Sequence, residues 1–252
     1  MIQRATKRAA LAGAILGVTL IAGPLGGGSA ASAGTPAPIG NVGKFQQRFV
    51  EDFSTAAAAN GPFAKIYAKS WQPYPDGAGG MYSSGSQVSG HGGLMDVRLD
   101  GEHGAAGTFG TPTGAWTHIG GKFSVRAKAT GGNGNGAAFM VWPTSNTWSD
   151  GEIDFPEGNF DATPMAFQHS MTPGQEVNTT NASTGVSWRD WHTYSVEWIP
   201  GRSVSYSVDG RTIMTVTKDV PRTAHRYMFQ VGNWGAAGHL YIDWVSTYDY
   251  VG

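Results

Sequence analysis

Apolar and polar residues alternate with a period of two along many short segments of the chain, which is the pattern of half-buried β-strands. In Lys122–Ala129 one face carries Phe, Val, Ala and Ala, and the other carries Lys, Ser, Arg and Lys. An Asp-Gly pair at 209–210 separates two such segments and predicts a tight hairpin. The other predicted strands are Lys44–Phe53, Gly93–Leu99, Ala137–Trp142, Gly151–Glu157, Met165–Met171, His192–Ile199, Ser203–Val208, Tyr227–Val231 and Leu240–Tyr248.

The remaining composition agrees with short strands joined by turns. Glycine accounts for 38 of the 252 residues, and Phe, Trp and Tyr together make up 12%. No helical pattern longer than about ten residues follows residue 33, no fixed-period repeat is present, and the segment 54–92 is predicted to consist mainly of loops. Many short antiparallel strands must each bury one face, so the sequence predicts an all-β sandwich of two antiparallel sheets.

The first 33 residues have the features of a secretory signal peptide. Arg4, Lys7 and Arg8 precede an apolar run, and Ala31-Ser32-Ala33 offers a small-residue cleavage site. The run is too short for a membrane span, which requires about 20 apolar residues. We therefore expect a cleaved leader at 1–33, a Gly/Pro-containing tether at 34–44 and one secreted domain at 45–252. An uncleaved N-terminal anchor is the alternative.

The charge balance and the absence of cysteine restrict the partners and the source of stability. Without the leader, 14 basic residues face 18 acidic ones, a net charge near −4. Nucleic acids and anionic membranes attract clustered basic residues, which this chain does not have. No Cys is present, so an exported domain must rely on its apolar core, with or without a bound ion, and not on disulfides. We expect a monomer.

The stretch Asp150–Gly158, DGEIDFPEG, concentrates acids in a chain with only 14% charged residues. On a strand, Glu152 and Asp154 share one face, and the apolar residues next to them point into the core. Strict alternation would direct Glu157 into the core, where an unpaired carboxylate is very costly. One extra residue, a β-bulge, returns Glu157 to the face of the other two acids, and Pro156 suits a bulge because it cannot donate to the ladder.

Two carboxyl groups on one concave surface are the minimum requirement for glycoside hydrolysis, one as nucleophile and one as acid. A third acid between them disfavours full ionisation and helps to keep the acid catalyst protonated. Distance opposes this interpretation, since five extended residues span roughly 16 Å and a retaining pair lies about 5–5.5 Å apart. From the spacing alone, a solvated acidic face and a calcium site with oxygen ligands stay open as alternatives.

The hexapeptide EIDFPE at Glu152–Glu157 resembles the bulged Glu-x-Asp-x-x-Glu signature of glycoside hydrolase family 16, as in laminarinase-like and lichenase-like endo-β-glycanases. The resemblance extends over residues 45–250. Four further blocks resemble the opening strand, the glycine-rich approach to the catalytic strand, the later hairpin and the closing strand of that family. They are VEDFST (50–55), GKFSVRAKATGGNGNGAAFMVWP (121–143), DWHTYSVEWIPGRSVSYSVDGRTI (190–213) and LYIDWVSTYDY (240–250).

This resemblance implies a β-jelly-roll sandwich with a concave substrate cleft and retaining hydrolysis of a β-linked polysaccharide. By position in the motif, Glu152 matches the nucleophile, Asp154 the assisting acid and Glu157 the general acid/base. His169 matches a histidine that the family often places near the acid/base, where it could influence the protonation of these acids. The alternative is a histidine of the strand whose hydrogen bonds are satisfied locally and which has no role in the site.

Tryptophans are the expected second layer of the site, because indoles form flat platforms for the apolar faces of sugar rings. Trp142 and Trp148 flank the entry to the acidic strand, and Trp234 lies in VGNWGAAG. These three are the predicted substrate-binding residues. The tryptophans that alternate with apolar neighbours inside strands are instead predicted to lie in the core, namely Trp191, Trp198 and Trp244.

The resemblance also implies a structural calcium ion but no cofactor for catalysis. Asp243 matches an aspartate of the closing strand that contributes to the calcium site, and Asp52 in the opening strand is the weaker candidate. A plain surface acid explains Asp243 about equally well.

The substrate expected from the resemblance is a β-1,3- or β-1,3-1,4-glucan. Proline at the bulge and the unmatched loop region Ala64–His91 depart from the pattern of β-glucanase relatives, and such loops select the polymer. A carbohydrate-binding lectin on the same sandwich and a transglycosylase with the same acids are the alternatives.

Overall fold

The computed structural model describes residues 34–111, 116–131, 133–232 and 235–252. The predicted leader lies outside these ranges. No helix in the described part of the chain has the length and apolar character needed to cross a membrane. The elements are β1 (Phe45–Glu51), α1 (Pro62–Ile66), β2 (Trp71–Pro73), α2 (Ser84–Gln87), β3 (Val88–His91), β4 (Leu94–Leu99), β5 (Ala105–Phe109), β6 (Gly121–Gly131), β7 (Gly136–Pro143), β8 (Ile153–Asn159), β9 (Met165–His169), β10 (Thr179–Ser183), β11 (His192–Ile199), β12 (Ser203–Val208), β13 (Arg211–Val216), β14 (His225–Gly232) and β15 (Gly238–Tyr250), with 3₁₀ turns at Ala78–Gly80 and Trp148–Asp150.

The strands form two antiparallel sheets, which confirms the predicted all-β sandwich. The first sheet has the order β13-β12-β11-β6-β15-β4-β3, and β1 pairs with the second half of β15. The second sheet has the order β10-β9-β8-β7-β14-β5-β2 and contains the acidic strand. One continuous hydrophobic core, to which strands of both sheets contribute, joins the two layers.

The alternation predicted in Lys122–Ala129 directs β6 into this core. Phe123, Val125, Ala127 and Ala129 are each at most 1% exposed, and the residues between them face outward. The hairpin between β12 and β13 is also confirmed. Asp209 and Gly210 both have positive φ, which two-residue hairpin loops of this kind require.

Four strands were not predicted from the pattern, and each lacks a clear alternation. β5 (AAGTF) is buried along its whole length, so its small side chains show no polar face. β2 and β3 are three and four residues long, and β10 (TTNAS) is entirely polar or small. The helices α1 and α2 lie in the segment predicted as loops and are too short to show a helical period.

Of the three tryptophans predicted for the core, Trp198 and Trp244 are buried and Trp191 is not, but only Trp198 belongs to the core between the sheets. The register of β15 against β6 shifts between Ile242 and Trp244, so that Trp244 pairs with Arg126. Because Arg126 faces outward, Trp244 lies on the outer side of the sheet. Trp191 precedes the first paired residue of β11 and lies against the charged ends of Lys128 and Arg126.

Residues 34–44, predicted as a tether, form hydrogen bonds on the outer side of the first sheet. The indole N–H of Trp244 donates to the carbonyl oxygen of Thr35 at 2.8 Å. The Gln47 amide donates to the carbonyl oxygen of Pro38 at 2.7 Å and accepts from the N–H of Gly40. This segment therefore covers Trp244, which is only 4% exposed.

Candidate active site

The acidic strand β8 contains the predicted bulge. Against β7, Asp154 pairs with Met140 and Glu157 with Ala138, so two steps along β7 correspond to three along β8. The register against β9 shifts at the same place. The extra residue lies at Phe155–Pro156, whose peptide bond is cis.

The bulge places the three acids on one face of the second sheet. The β7 residues opposite Asp154 and Glu157 are two positions apart and so share a face. They pack with Met228 in a small cluster outside the main core, whereas Phe155 belongs to the main core. Glu152 lies on the same side as Asp154, because the residue between them points inward. This outer side of β7, β8 and β9 is called the acidic face below.

The entry to the acidic strand requires glycine. Gly151 has φ +116°, a conformation that other residues rarely adopt. A Cβ at this position would lie 2.4 Å from the ring of Pro221. Gly151 therefore allows the chain to turn from the 3₁₀ segment Trp148–Asp150 into β8 and brings Glu152 onto the acidic face.

His169 on β9 contacts two of the acids, and its hydrogen-bond partners show how many protons the imidazole and Asp154 must hold together. Its Nε2 lies 3.0 Å from a carboxyl oxygen of Asp154 and 3.9 Å from one of Glu152. Its Nδ1 lies 2.7 Å from the carbonyl oxygen of Glu176, which can only accept, so Nδ1 carries a hydrogen. A hydrogen bond between Nε2 and Asp154 then needs one more proton, on the imidazole or on the carboxyl group.

All three acids are poorly hydrated and hold protons more tightly than usual. Burial raises the pKa of Glu152 and of Glu157, and it raises the pKa of Asp154 well above its ordinary value. The negative charges of the two glutamates raise the pKa of Asp154 further. Asp154 is 2% exposed and Glu152 8%, which excludes the alternative of a solvated acidic face.

Asp154 connects the two glutamates. Its carboxyl group lies within hydrogen-bonding reach of the carboxyl groups of both Glu152 and Glu157. Among the described residues, no N–H or O–H group donates to its Oδ1. Ionised carboxylates only accept hydrogen bonds, so contacts among these acids become favourable when they share a proton. A shared proton on a buried carboxyl triad is what a general acid requires near neutral pH.

Trp148 lies beside the acids, and Trp142 lies on the same face. The ring of Trp148 is 5.7 Å from that of His169 between centroids. Its indole nitrogen is buried and forms no hydrogen bond of ordinary geometry with a described residue. It is nevertheless near enough to Glu152 to lower the pKa of that carboxyl group, although burial raises this pKa by more. Trp142 packs against the Met140 cluster and donates to Asn146 at 3.2 Å. Trp234 lies outside the described residues and stays a prediction.

Next to the acidic face, the outer side of the second sheet carries aromatic residues over β14 that the sequence analysis did not identify. The Tyr74 hydroxyl contacts the sulfur of Met228 at 3.6 Å, and the Tyr82 hydroxyl donates to Gln230 at 3.1 Å. The two tyrosine rings pack edge to face, 6.0 Å apart. Both come from the segment predicted as loops, where no motif marks them, and only the register of β14 against β7 reveals their place.

The residues expected to bind calcium lie far along the chain from the acids, at the first sheet. Asp243 forms an ion pair of 2.9 Å with Arg126, and burial raises its pKa, which the nearby charge of Asp52 raises further. Asp52 accepts a hydrogen bond from the backbone of Ser54. Because Arg126 already balances the charge of Asp243, these two acids alone fit calcium poorly. The calcium site stays a prediction.

The cation alternative for the acids themselves has some geometric support. One ligand atom each from Glu152, Asp154 and His169 lie within 4.8 Å of one another. Among the described residues, this is the one group of at least three acidic or histidine side chains so arranged. The same atoms can equally share protons.

The chain matches a family model. The model described as "Glycosyl hydrolases family 16" matches residues 81–246, which include the whole acidic strand. No curated protein sequence matches the chain.

Solved structures with similar folds include three glucanases. A non-specific endo-β-1,3(4)-glucanase is 18% identical, with a TM-score of 0.67 over 84% of this chain and 94% of that chain. The catalytic domain of an endo-1,3-β-glucanase (laminarinase) from Thermotoga petrophila RKU-1 is 19% identical, with a TM-score of 0.65 over 84% and 100%. The β-glucanase of Bacillus licheniformis is 17% identical, with a TM-score of 0.58 over 80% and 97%. At these identities, the likeness establishes the fold.

Proposed function

This chain belongs to glycosyl hydrolase family 16, and we propose that it is a secreted endo-β-glycanase that hydrolyses a β-1,3- or β-1,3-1,4-glucan with retention of configuration. Glycoside hydrolysis follows from the family, whereas the linkage, the mechanism and the secretion belong to the proposal. The observation that carries it is the bulge at Pro156, which puts the buried Glu152 and the partly buried Glu157 on one face within reach of a single aspartate.

In the first half of the reaction, Glu157 is the acid and Glu152 the nucleophile. Burial keeps Glu157 protonated to a higher pH than an ordinary glutamate, so it can donate its proton to the oxygen of the departing sugar. The ionised carboxylate of Glu152 attacks the anomeric carbon from the opposite side and forms a glycosyl-enzyme. The indole N–H of Trp148 supports this role, since it favours the ionised form of Glu152.

In the second half, Glu157 has become a carboxylate and acts as the base. It takes a proton from water, which attacks the anomeric carbon and releases Glu152. Asp154, with His169 at 3.0 Å, holds a proton between the two glutamates, so that no further negative charge opposes the one carboxylate that each half of the reaction requires.

Three features support a neutral β-glucan as the substrate. The similar structures include a non-specific endo-β-1,3(4)-glucanase and a laminarinase. The acidic face offers the tryptophans Trp142 and Trp148 as platforms for sugar rings. The acids and the net negative charge of the chain would repel an anionic polymer.

We also propose that residues 1–33 direct export and are removed, and that the enzyme acts outside the cell as a monomer. The basic start, the apolar run and the Ala-Ser-Ala site support export. N-terminal sequencing of the protein from the culture medium of an expressing cell tests this, and a start at Gly34 is expected. An intact N-terminus in the membrane fraction would contradict it.

A panel of polysaccharides tests the activity. Laminarin, mixed-linkage β-glucan, cellulose, xylan and agarose are incubated with the enzyme, and released reducing ends are measured together with the size of the products. The proposal predicts oligosaccharides from laminarin, from mixed-linkage β-glucan or from both, and none from the other three polymers. Binding to a polymer without any cleavage would support the lectin alternative, and elongated products at high acceptor concentration would support the transglycosylase.

A further inference from the structure

A second buried histidine, His225, contacts the backbone at the start of the acidic strand. Its side chain is fully buried at the first position of β14. Its Nδ1 lies 2.9 Å from the carbonyl oxygen of Thr223, and its Nε2 lies 3.0 Å from the carbonyl oxygen of Gly151. The ring packs edge to face on Trp198, with centroids 4.9 Å apart. The imidazole therefore lies between two backbone carbonyl groups and against an indole.

Both partners of the ring are carbonyl oxygens, which can only accept hydrogen bonds. Both bonds can form together only when the imidazole is doubly protonated. Burial lowers the pKa of His225 below its ordinary value, with Asp150 and Arg226 as the charged groups that face the ring. The Asp150 carboxylate raises this pKa and the Arg226 guanidinium lowers it, both by less than burial does. At neutral pH the ring thus carries one hydrogen and can serve one carbonyl group.

The carbonyl of Gly151 has the greater need for that hydrogen. Gly151 is buried, whereas Thr223 is exposed, so water can satisfy the carbonyl of Thr223. A buried carbonyl without a partner is costly. The neutral ring is therefore expected to carry its hydrogen on Nε2.

The Gly151 carbonyl belongs to the same rigid peptide plane as the N–H of Glu152. The other side of Glu152 is fixed by its carbonyl oxygen, which accepts from the N–H of His169 at 3.1 Å. A hydrogen bond to the Gly151 carbonyl sets the rotation of the peptide from which the Glu152 side chain projects. Gly151 itself cannot restrict this rotation, because glycine has no Cβ.

We propose that His225 is a positioning residue for the nucleophile, in which Nε2–H donates to the Gly151 carbonyl and fixes the orientation of Glu152. The inference rests on the proposed role of Glu152. His225 touches neither the substrate nor a carboxyl group, so its effect passes through the backbone alone.

A pair of amide variants separates the two ring nitrogens. In His225→Gln the amide NH₂ occupies the place of Nε2 and can still donate to Gly151, whereas in His225→Asn it occupies the place of Nδ1 and reaches only Thr223. We expect His225→Gln to keep kcat within about threefold and His225→Asn to lose roughly tenfold or more, with KM little changed in both, because a small misplacement of a reacting group costs rate. Equal losses of kcat in the two variants would overturn the proposal.

A matched control removes another buried histidine. The His118 ring is also fully buried, and its Nδ1 lies 2.7 Å from Asp249 on the first sheet. Its backbone exchanges two hydrogen bonds with that of His225, so the control disturbs the same neighbourhood without removing the hydrogen bond to Gly151. We expect His118→Asn to lower the melting temperature as the His225 variants do, without a change of kcat. A fall of kcat in proportion to the melting temperature across all three variants would reduce His225 to a structural role and overturn the proposal.

A measurement on the wild-type enzyme decides the matter if the variants do not fold. Nitrogen-15 NMR of histidine-labelled protein at pH 7, assigned with His225→Gln or by backbone connectivity, distinguishes the two neutral tautomers. The Nε2–H tautomer supports the proposal, and the Nδ1–H tautomer overturns it. The spectrum does not depend on activity. An enzyme that cleaves no polysaccharide but shows the Nε2–H tautomer would contradict the proposed function and leave the hydrogen bond to Gly151 intact.

Discussion

At the scale of single residues, the site depends on how many protons three carboxyl groups and one imidazole share. His169 donates from Nδ1 to a carbonyl group, Asp154 lacks a donor on Oδ1 among the described residues, and both glutamates are poorly hydrated. These conditions favour a shared proton on the carboxyl groups over three separate charges. The three acids were predicted from the motif and His169 from the family resemblance, but the nearness of the Trp148 indole to Glu152 and the carbonyl partner of His169 follow only from coordinates.

Replacement of Glu157 separates the acid from the nucleophile. Glu157→Gln is expected to lower kcat/KM on the polysaccharide by about 10²–10⁴-fold, because a glutamine cannot protonate the leaving oxygen. On an aryl glycoside with an acidic leaving group, which needs little protonation, the loss should be much smaller. Glu197→Gln is the control, since Glu197 pairs with Lys122 on the first sheet and should not affect activity. Equal losses on both substrates would contradict the assignment of Glu157.

At the scale of elements, strand parity decides which side chains reach the site. The sequence allowed the bulge in β8 to be predicted, because an acid at a core position and a proline between the acids marked the place. The corresponding shift in β15 near Asp243 has no such marker. The burial of Trp244, which alternates with apolar neighbours, was therefore predicted, but not its place on the outer side of the first sheet. A bulge can be predicted from sequence when regular alternation would place an ionisable side chain in the core. It cannot be predicted when it only moves one apolar side chain to the outer face.

Changes of length in β8 test this parity. Deletion of Pro156 converts the three-to-two register against β7 into an even one and leaves Glu157 opposite Ala138 on the acidic face. Insertion of one alanine between Pro156 and Glu157 instead directs Glu157 toward the core, where an unpaired carboxylate is very costly. We expect the deletion variant to keep measurable hydrolysis and the insertion variant to lose it and to melt at a lower temperature. An insertion variant as active as the deletion variant would refute the parity argument.

At the scale of the whole molecule, the two sheets form a common core that supports a site of buried acids at a cost in stability. The overall architecture was predictable, because period-two alternation and turn residues recur along the chain. The aromatic residues beyond β7 were not, since Tyr74 and Tyr82 come from a loop whose position depends on the pairing of β14, β5 and β2. Long-range pairing of this kind leaves no local pattern in the sequence.

The cost in stability has a definite dependence on pH. A carboxyl group whose pKa is raised by folding stabilises the native state below its unfolded pKa, and this contribution is lost as the pH rises through its folded pKa. The unfolded values are 3.8 for Asp154 and 4.5 for the glutamates, so the loss begins near pH 4 and continues upward. We expect Asp154→Asn to melt at a higher temperature than the wild type at pH 7, with a difference that shrinks toward pH 4, and to be less active. A constant difference between pH 4 and pH 7 would show that the pKa of Asp154 is not raised.

The most direct test of the central claim is chemical rescue of Glu152→Ala by azide, with the anomeric configuration of the product determined by NMR. If Glu152 is the nucleophile of a retaining enzyme, azide should occupy the vacated space, attack the anomeric carbon once, and give an α-glycosyl azide. The corresponding Glu157→Ala variant should give the β-glycosyl azide, because azide then attacks the glycosyl-enzyme. A β-azide from Glu152→Ala, or an α-azide from Glu157→Ala, would contradict the assigned roles.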